Sequence, residues 1–398
     1  MNTFSYDEAQ VHTHNRELMS QREIDADSLK PFLFVCIVIA LVGYGLIALY
    51  SASYDEALRH NLPTYYYFLR QAGFAVLGFI AFAIVRFIPF TWIKRAIPIF
   101  LVVSLLLMIV TLTTDLGVSR LGARRWIQIG PLPSFQPSEL LKVSVILYIA
   151  SVLSQRTDQE KKGRFSLIAA LGIVLLSALL IVLQRDYSTT LVFLLVALAM
   201  FVAGGVAFHF IALGAFGIGV PAFIFLFLEP YRIRRLVSFL FPSIDPSGLN
   251  WQVQNSLKAM SSGGIFGKGL GNGVYKLGII PEVQSDFIFA SIVEELGFIG
   301  VLLFFLLFIS FAILGFGAAY RHGKAGNQFT SLVAFGVTFM ILWQAIVHVA
   351  VVSSLLPPTG IPLPFFSQGG TNLFMVLGEC GLLYRCINDE AQESIAHG

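Results

Sequence analysis

The feature that most constrains this chain is a series of apolar runs, each close to the roughly 20 residues that a membrane-spanning helix needs. The runs lie at about residues 31–50, 68–85, 96–113, 137–153, 165–183, 189–206, 208–228, 287–320, 329–352 and 370–384. Hydrophobic residues make up 56% of the 398 residues and charged residues 12%, whereas a soluble domain has about 25% charged residues. This composition excludes a cytosolic enzyme, a nucleic-acid-binding module and a secreted disulfide scaffold. It predicts an all-α polytopic integral membrane protein with about ten transmembrane helices.

The charges between the runs predict the orientation. An even number of spans places both termini on one side, and the basic loops at 86–95, 156–164 and 321–324 fall on that side. Because short cytoplasmic loops are rich in Lys and Arg, both termini are predicted to be cytoplasmic. The first 30 residues hold nine charged side chains and no apolar core, so they are not a secretory signal.

The predicted organisation has three parts along the chain. A cytoplasmic N-terminal tail at 1–30 precedes a transmembrane domain at 31–386, and a cytoplasmic C-terminal tail follows at 387–398. Extracytoplasmic loops are predicted at 114–136, 229–286 and 353–369, the largest of them between spans seven and eight. The three cysteines are scattered and predict neither a disulfide framework nor a zinc site.

The short outer loop at 114–136 carries three arginines, Arg120, Arg124 and Arg125, against the orientation rule. They could anchor lipid headgroups, or they could bind a phosphate-bearing ligand, since Arg forms paired hydrogen bonds with phosphate. The loop alone leaves both interpretations open.

The segment 251–300 combines an irregular glycine-rich stretch with carboxylates at the start of the eighth span. Six glycines between 263 and 273 predict a tightly folded loop, which is tolerated near a bilayer only when it packs on protein or lines a wet cavity. The carboxylates are Glu282, Asp286, Glu294 and Glu295. Asp286 directly precedes an apolar helix, so its local sequence favours a helix N-cap, although a general base is equally compatible.

Further polar residues interrupt the apolar runs. Glu139 and Lys142, spaced i and i+3 after Pro137, are predicted to pair about one turn inside the membrane, where charge is usually functional. The turn at 184–188 predicts local pairing of its Arg and Asp, and the Pro- and Gly-rich segment 355–373 predicts an outer loop that re-enters over a cavity. His348 is interpreted as a helix-contact histidine.

Taken together, these stretches resemble the SEDS (shape, elongation, division and sporulation) family of peptidoglycan polymerases, which includes the FtsW and RodA proteins. The motifs that carry the resemblance follow in order: LYSAS, RRWIQIGPLPSFQPSELLKV, QRDYSTTLVFLLVALAMFVAGG, YRIRRLVSFLFP, SGGIFGKGLGNGVYKL, PEVQSDFIFASIVEELGFIG and LLPPTGIPLPFFSQGG. The GLGNGVYKL form is most similar to the division branch and its sporulation relatives. The chain departs from the family at Gln284, where the family usually has His, near His348, where it usually has Asn, and at Gln368, where it usually has Tyr.

The resemblance implies a glycosyltransferase that polymerises lipid II outside the cytoplasmic membrane, with Asp286 as the catalytic base. The expected substrate-binding residues are Arg125, Glu139, Lys142, Arg232, Arg235, Lys276, Glu282 and Gln368. No metal ligands are predicted, although a divalent cation could accompany the pyrophosphate. Expected partners are a class B penicillin-binding protein and other division proteins of the membrane, at the septum, and no nucleic acid. A lipid II flippase and a non-catalytic scaffold are the alternatives.

Overall fold

The structure is a computed structural model that describes residues 4–120, 122–155, 160–207 and 249–397, together with residues 212 and 239. It is mainly helical. In chain order the helices are α1 Phe4–Ala52, α2 Tyr54–Arg59, α3 Tyr66–Val85, α4 Phe90–Thr113, α5 Pro137–Ser154, α6 Glu160–Leu183, α7 Tyr187–Ala203, α8 Leu249–Ser262, α9 Ile288–Lys324, α10 Gln328–Val352 and α11 Gly370–His397. An antiparallel hairpin of β1 Gly117–Arg120 and β2 Ala123–Ile127 stands between α4 and α5.

Seven of the described helical segments are long and apolar enough to cross a membrane, in α1, α3, α4, α5, α6, α9 and α10. The shorter helix α7 is also apolar. The predicted seventh span, at 208–228, lies outside the described residues apart from residue 212. The prediction of a polytopic helical membrane protein is therefore confirmed, whereas the number of ten spans is not.

Helix directions place the two chain ends together. Ser51, near the end of α1, bonds Glu295, near the start of α9, whereas Cys386 in α11 bonds His322, near the end of α9. The start of α1 and the end of α11 therefore lie at the same end of the bundle, hereafter the termini end. The opposite end carries β1 and β2 and is hereafter the hairpin end.

The hairpin is the main departure from the all-α prediction. Its strands have only four and five residues, too short for a clear alternating pattern in the sequence. Arg124 on β2 donates to the backbone carbonyls of Leu112, Thr114 and Gly117, so it caps the end of α4. This arginine holds the hairpin to the bundle, which is a third role beside the two considered from the sequence.

Helix α9 breaks at Gly297, which has φ +61° and ψ −155°. The eighth span was predicted as one helix from 287 with an extended end. Residues 298–324 alone are about 40 Å long, at about 1.5 Å per residue, and suffice to cross the bilayer. The turns before the break therefore lie toward the hairpin end of the span.

The glycine loop, defined here as residues 263–278, supplies hydrogen-bond partners for the backbone groups that the break in α9 leaves unpaired. Four backbone bonds of 2.9–3.2 Å join them: Phe298 N to Gly264 O, Ile299 N to Ile265 O, Lys268 N to Glu294 O and Gly269 N to Glu295 O. Unpaired backbone groups near hydrocarbon are costly, so these bonds allow an irregular segment at this depth.

Two glycines at this junction meet with no room for a side chain. A Cβ on Gly297 would lie 2.3 Å from the Gly267 nitrogen, and a Cβ on Gly267 would lie 2.1 Å from the Glu295 carbonyl oxygen. Both residues also have positive φ, which side chains disfavour. The loop and the helix can approach this closely only because both positions are glycine.

We predict that Gly297→Ala lowers the free energy of unfolding by more than about 2 kcal/mol, because it adds both backbone strain and an overlap with the glycine loop. The measurement is thermal or denaturant unfolding of the purified protein in detergent. Gly172→Ala is the matched control, since a Cβ on Gly172 in α6 meets no atom within 4 Å. Equal stability of the two variants would contradict the close packing at Gly297.

Candidate active site

Asp286 lies in a turn before α9 and is not its N-cap, which corrects the interpretation favoured by local sequence. The helix begins at Ile288 with Phe287 in the cap position, and the apolar Phe287 side chain makes no cap hydrogen bond. The amides of Ser285 and Asp286 both bond the carbonyl of Glu282 at 3.0 Å, and this turn places the aspartate one residue before the cap position. The half-buried Asp286 carboxylate is thus held at the hairpin end of the bundle.

The segment 359–369, hereafter the clamp segment, packs on the turn that carries Asp286. The backbone amide of Gln368 donates to the backbone carbonyl of Gln284 at 2.9 Å, and the Ser367 hydroxyl donates to the backbone carbonyl of Ser285 at 2.5 Å. Gly360 lies against the aspartate itself, because a Cβ there would be 3.5 Å from Asp286 Oδ2. The predicted outer loop therefore folds back onto the proposed base.

Glu139 and Lys142 form the predicted ion pair on α5. Their Oε1 and Nζ atoms are 2.9 Å apart, and both side chains are buried. Pro137 starts α5 at its first turn, which fixes the pair one turn into the helix. Asn372 on α11 donates to Glu139 Oε2 at 2.9 Å, and Lys142 donates to Gln344 Oε1 on α10 at 3.3 Å. The prediction that these charges pair is confirmed.

Glu379 adds a third ionisable side chain to this cluster. It lies on α11 seven residues after Asn372 and is buried, with Lys142 and Glu139 as the charges that act on it. Its Oε2 atom has no hydrogen-bond partner among the described residues. Sequence reasoning missed this residue, although it is the one charged residue within the apolar run 370–384.

Arg125 joins the hairpin to the turn between α6 and α7. Its guanidinium donates to the carbonyl of Arg185 at 2.7 Å and lies 3.5 Å from Asp186 Oδ2. Asp186 also caps α7 by accepting from the Thr189 amide. The ion pair to Arg125 therefore takes the place of the local Arg185–Asp186 pairing predicted for this turn, because the hairpin folds over it.

Two adjacent carboxylates of α9, Glu294 and Glu295, hold the glycine loop. Lys276 Nζ is 2.5 Å from Glu295 Oε1 and 2.7 Å from the Ser51 hydroxyl, and Lys268 Nζ is 2.7 Å from Glu294 Oε1. The loop amides that also donate to these carboxylates belong to Gly271, Gly273, Val274 and Tyr275. Lys276, expected to bind substrate, thus lies in an internal ion pair.

The remaining expected site residues lie in different surroundings. Glu282 is exposed at the turn before Asp286, and Gln368 is half-buried in the clamp segment. Arg232 and Arg235 lie outside the described residues. Within the part of the chain that the structure describes, no group of three or more His, Cys, Asp or Glu side chains is placed to hold a metal ion.

Gln344 and His348 are functional candidates that sequence reasoning left unassigned or assigned differently. Gln344 Nε2 donates to the carbonyl of Pro362 at 2.9 Å, and His348 Nδ1 donates to the carbonyl of Ile361 at 2.8 Å. The histidine therefore holds the clamp segment, whereas the sequence suggested a contact between helices. A polar residue inside the apolar run 329–352 was the available signal for Gln344.

Comparison with known proteins agrees with this architecture. The family model described as Cell cycle protein, for the FtsW, RodA and SpoVE proteins, matches residues 32–392. The probable peptidoglycan glycosyltransferase FtsW of Borreliella burgdorferi is 36% identical over 90% of this chain and 97% of its own length. Stage V sporulation protein E of Bacillus subtilis is 38% identical over 88% of this chain and 95% of its own length.

Solved structures show the same fold. A chain from a study of how a peptidoglycan synthase complex coordinates polymerization and crosslinking aligns with a TM-score of 0.71 and 26% identity, over 90% of this chain and 98% of that one. RodA of Thermus thermophilus aligns with a TM-score of 0.65 and 25% identity, over 90% of this chain and 97% of that one. The protein is thus a multi-pass membrane protein with a RodA-like fold. It belongs to the FtsW/RodA/SpoVE family, the SEDS family that its motifs resemble.

We predict that Lys276→Met and Glu295→Gln each lower the free energy of unfolding by about 3–5 kcal/mol, because each leaves a buried partner unpaired. The double variant should lower the free energy of unfolding by less than the sum of the two single variants, since it removes both partners and leaves neither unpaired. Unfolding of the purified protein in detergent measures all three.

The partly exposed pair of Arg59 and Asp55 on α2, with its atoms 2.7 Å apart, is the control for this cycle, and Asp55→Asn removes it because Arg59 itself lies against Gly278 of the glycine loop. Removal of this ion pair should lower the free energy of unfolding by less than about 1 kcal/mol, because solvent screens the two charges. If the Lys276 and Glu295 variants cost no more than this control, the ion pair does not hold the glycine loop.

Proposed function

We propose that this chain is a peptidoglycan glycosyltransferase that polymerises lipid II at the outer face of the cytoplasmic membrane, in septal wall synthesis. The observation that carries the proposal is the clamp segment, which lies on Asp286 and is bonded through Gln344 to Lys142. A carboxylate at the rim and a cation inside the membrane suit a substrate whose sugars are outside and whose lipid lies in the bilayer. The names of similar proteins support the same assignment.

In this mechanism Asp286 is the general base. The 4-hydroxyl of the acceptor sugar gives its proton to the carboxylate while its oxygen attacks the anomeric carbon of the donor. The bond from that carbon to the pyrophosphate breaks in the same step, so the configuration at the anomeric carbon inverts. The clamp segment would keep the carboxylate oriented toward the acceptor hydroxyl, with Glu282 and Gln368 beside it as candidate contacts to the sugars.

Fixed cations would stabilise the charge that develops on the leaving lipid pyrophosphate. Lys142 is the candidate inside the bundle, and Glu139 would orient it. Arg125 is the candidate at the surface, where its guanidinium is partly exposed beside Asp186. Arg232 and Arg235 remain expected contributors that lie outside the described residues. A divalent cation would be held by the pyrophosphate itself rather than by a protein cage.

The polyprenyl tail of the substrate would lie in a groove between membrane-spanning helices. The gap between α5, α7 and α10, with Lys142 in its wall, has a volume of about 10 Å³ and is too small for the tail. Crosslinking would come from a separate class B penicillin-binding protein, and other division proteins are expected beside it.

Transport of lipid II across the membrane is the second candidate function. The observation that favours it is the buried cluster of Glu139, Lys142 and Glu379, since ionisable side chains inside a bundle are typical of translocation paths. The glycosyltransferase accounts in addition for the clamp segment on Asp286, which a flippase does not need.

We predict that Asp286→Asn lowers polymerisation of labelled lipid II by about 100-fold or more, because the amide cannot take the acceptor proton. The assay uses the chain purified together with its cognate class B partner. Asp115→Asn is the matched control, an exposed carboxylate at the hairpin end that should leave the rate unchanged.

Equal rates for wild type and Asp286→Asn would remove this residue as the base. If neither forms polymer while lipid II crosses the membrane of proteoliposomes that contain the protein, the flippase replaces the glycosyltransferase.

A further inference from the structure

Gln344 on α10 bonds two parts of the candidate site at once. Its Oε1 accepts from Lys142 Nζ at 3.3 Å, and its Nε2 donates to the carbonyl of Pro362 at 2.9 Å. The side chain is only 3% exposed, so water does not compete for either bond. The amide therefore joins the ion pair inside the membrane to the clamp segment.

The chemistry of its two partners sets the orientation of the Gln344 amide. An ammonium only donates and a carbonyl only accepts, so the oxygen must face Lys142 and the nitrogen must face Pro362. The reversed amide would place two donors together and two acceptors together. A change in the position of Lys142 therefore acts on the same rigid amide group that holds the clamp segment.

The clamp segment transmits this contact to the proposed base. Pro362 is two residues from Gly360, which lies against Asp286, and the intervening carbonyl of Ile361 is held by His348. His348 is four residues after Gln344, so both side chains lie on one face of α10. Two successive backbone carbonyls of the clamp segment thus accept hydrogen bonds from one face of α10. Gln344, which bonds the second of these carbonyls, also bonds Lys142.

We propose that Gln344 is a positioning residue that couples Lys142 to Asp286. When a lipid pyrophosphate engages Lys142, the amide holds residues 359–363 so that the carboxylate meets the acceptor hydroxyl. This role rests on the proposed glycosyltransferase activity. It adds that binding of the donor's pyrophosphate and alignment of the base are linked through one side chain.

The test compares Gln344→Met with Gln71→Met. Gln71 on α3 is also 3% exposed and also ties the clamp segment, donating to the carbonyl of Ser367 at 3.1 Å and accepting from the Gly369 amide at 3.2 Å. No bond joins it to Lys142 among the described residues. Both variants lose a buried amide that holds the same segment, so they separate coupling from simple tethering.

We expect Gln344→Met to lower kcat for lipid II polymerisation by about tenfold or more, with KM for lipid II within about threefold of wild type. Lys142 remains to bind the phosphate, whereas the base loses its alignment. Gln71→Met should lower kcat by less than about threefold at a similar loss of thermal stability. Equal losses of kcat in the two variants would reduce Gln344 to a structural tether and overturn the proposal.

Hydrogen exchange tests the coupling without turnover, with undecaprenyl pyrophosphate as the probe. The probe should slow amide exchange in residues 359–369 of the wild type and of Gln71→Met, and should have no such effect in Gln344→Met. Gln344→Glu serves as a second variant, because its carboxylate still accepts from Lys142 and cannot donate to Pro362. The probe should therefore fail to slow amide exchange in residues 359–369 of Gln344→Glu as well.

The two readouts separate this proposal from the proposed function. If the wild type forms no polymer but the probe slows exchange through Gln344, the coupling stands and the glycosyltransferase assignment fails. If the wild type polymerises lipid II and the probe slows exchange equally in wild type, Gln344→Met and Gln344→Glu, the coupling fails and the glycosyltransferase assignment stands.

Discussion

A helix that breaks beside hydrocarbon must find new partners for the backbone groups that it releases, because lipid offers none. In this protein the break is at Gly297 in α9, and the glycine loop supplies the partners through four backbone hydrogen bonds. Everything at the hairpin end of α9 depends on this junction. It sets the direction of the turns that precede the span, and with them the position of Asp286.

The same requirement governs the charged side chains inside the bundle. Glu295 is paired with Lys276, and Glu139 with Lys142, so that these buried charges are balanced at hydrogen-bond distance. The first pair holds the glycine loop, whereas the second joins α5 to α10 and α11 through Gln344 and Asn372. Glu379 adds a buried carboxyl group without a hydrogen-bond partner for Oε2 among the described residues, which makes the second cluster the more suitable one for a function beyond stability.

The candidate site is assembled from segments far apart in the chain. Lys142 comes from α5, Gln344 from α10, and Asp286 from the turn before α9. The clamp segment contacts both Gln344 and Asp286. No single segment contains both the proposed base and the proposed cation. The clamp segment therefore has the central position in the proposed mechanism, because it is the part that contacts the base and, through one amide, the cation.

Local patterns along the chain predicted much of this molecule. Hydropathy predicted the seven described segments that can cross a membrane, because a helix in lipid must be apolar over a fixed length, and the i, i+3 spacing predicted the pair of Glu139 and Lys142. Both inferences use distances that are set within one helix. The family motifs extended them to an expected activity.

Contacts between distant segments could not be predicted in this way. Asp186 pairs with Arg125 because the hairpin folds over its turn, and His348 holds Ile361 because the clamp segment returns over α10. The local sequence predicted instead that Asp186 pairs with Arg185 and that His348 contacts a neighbouring helix. The seven membrane-capable segments and the Glu139–Lys142 pair thus follow from the chain alone, since their geometry is that of one helix. The partners of Asp286, Gln344 and Glu379 depend on which helices pack together, because hydrogen bonds between segments form only after packing brings those segments within reach.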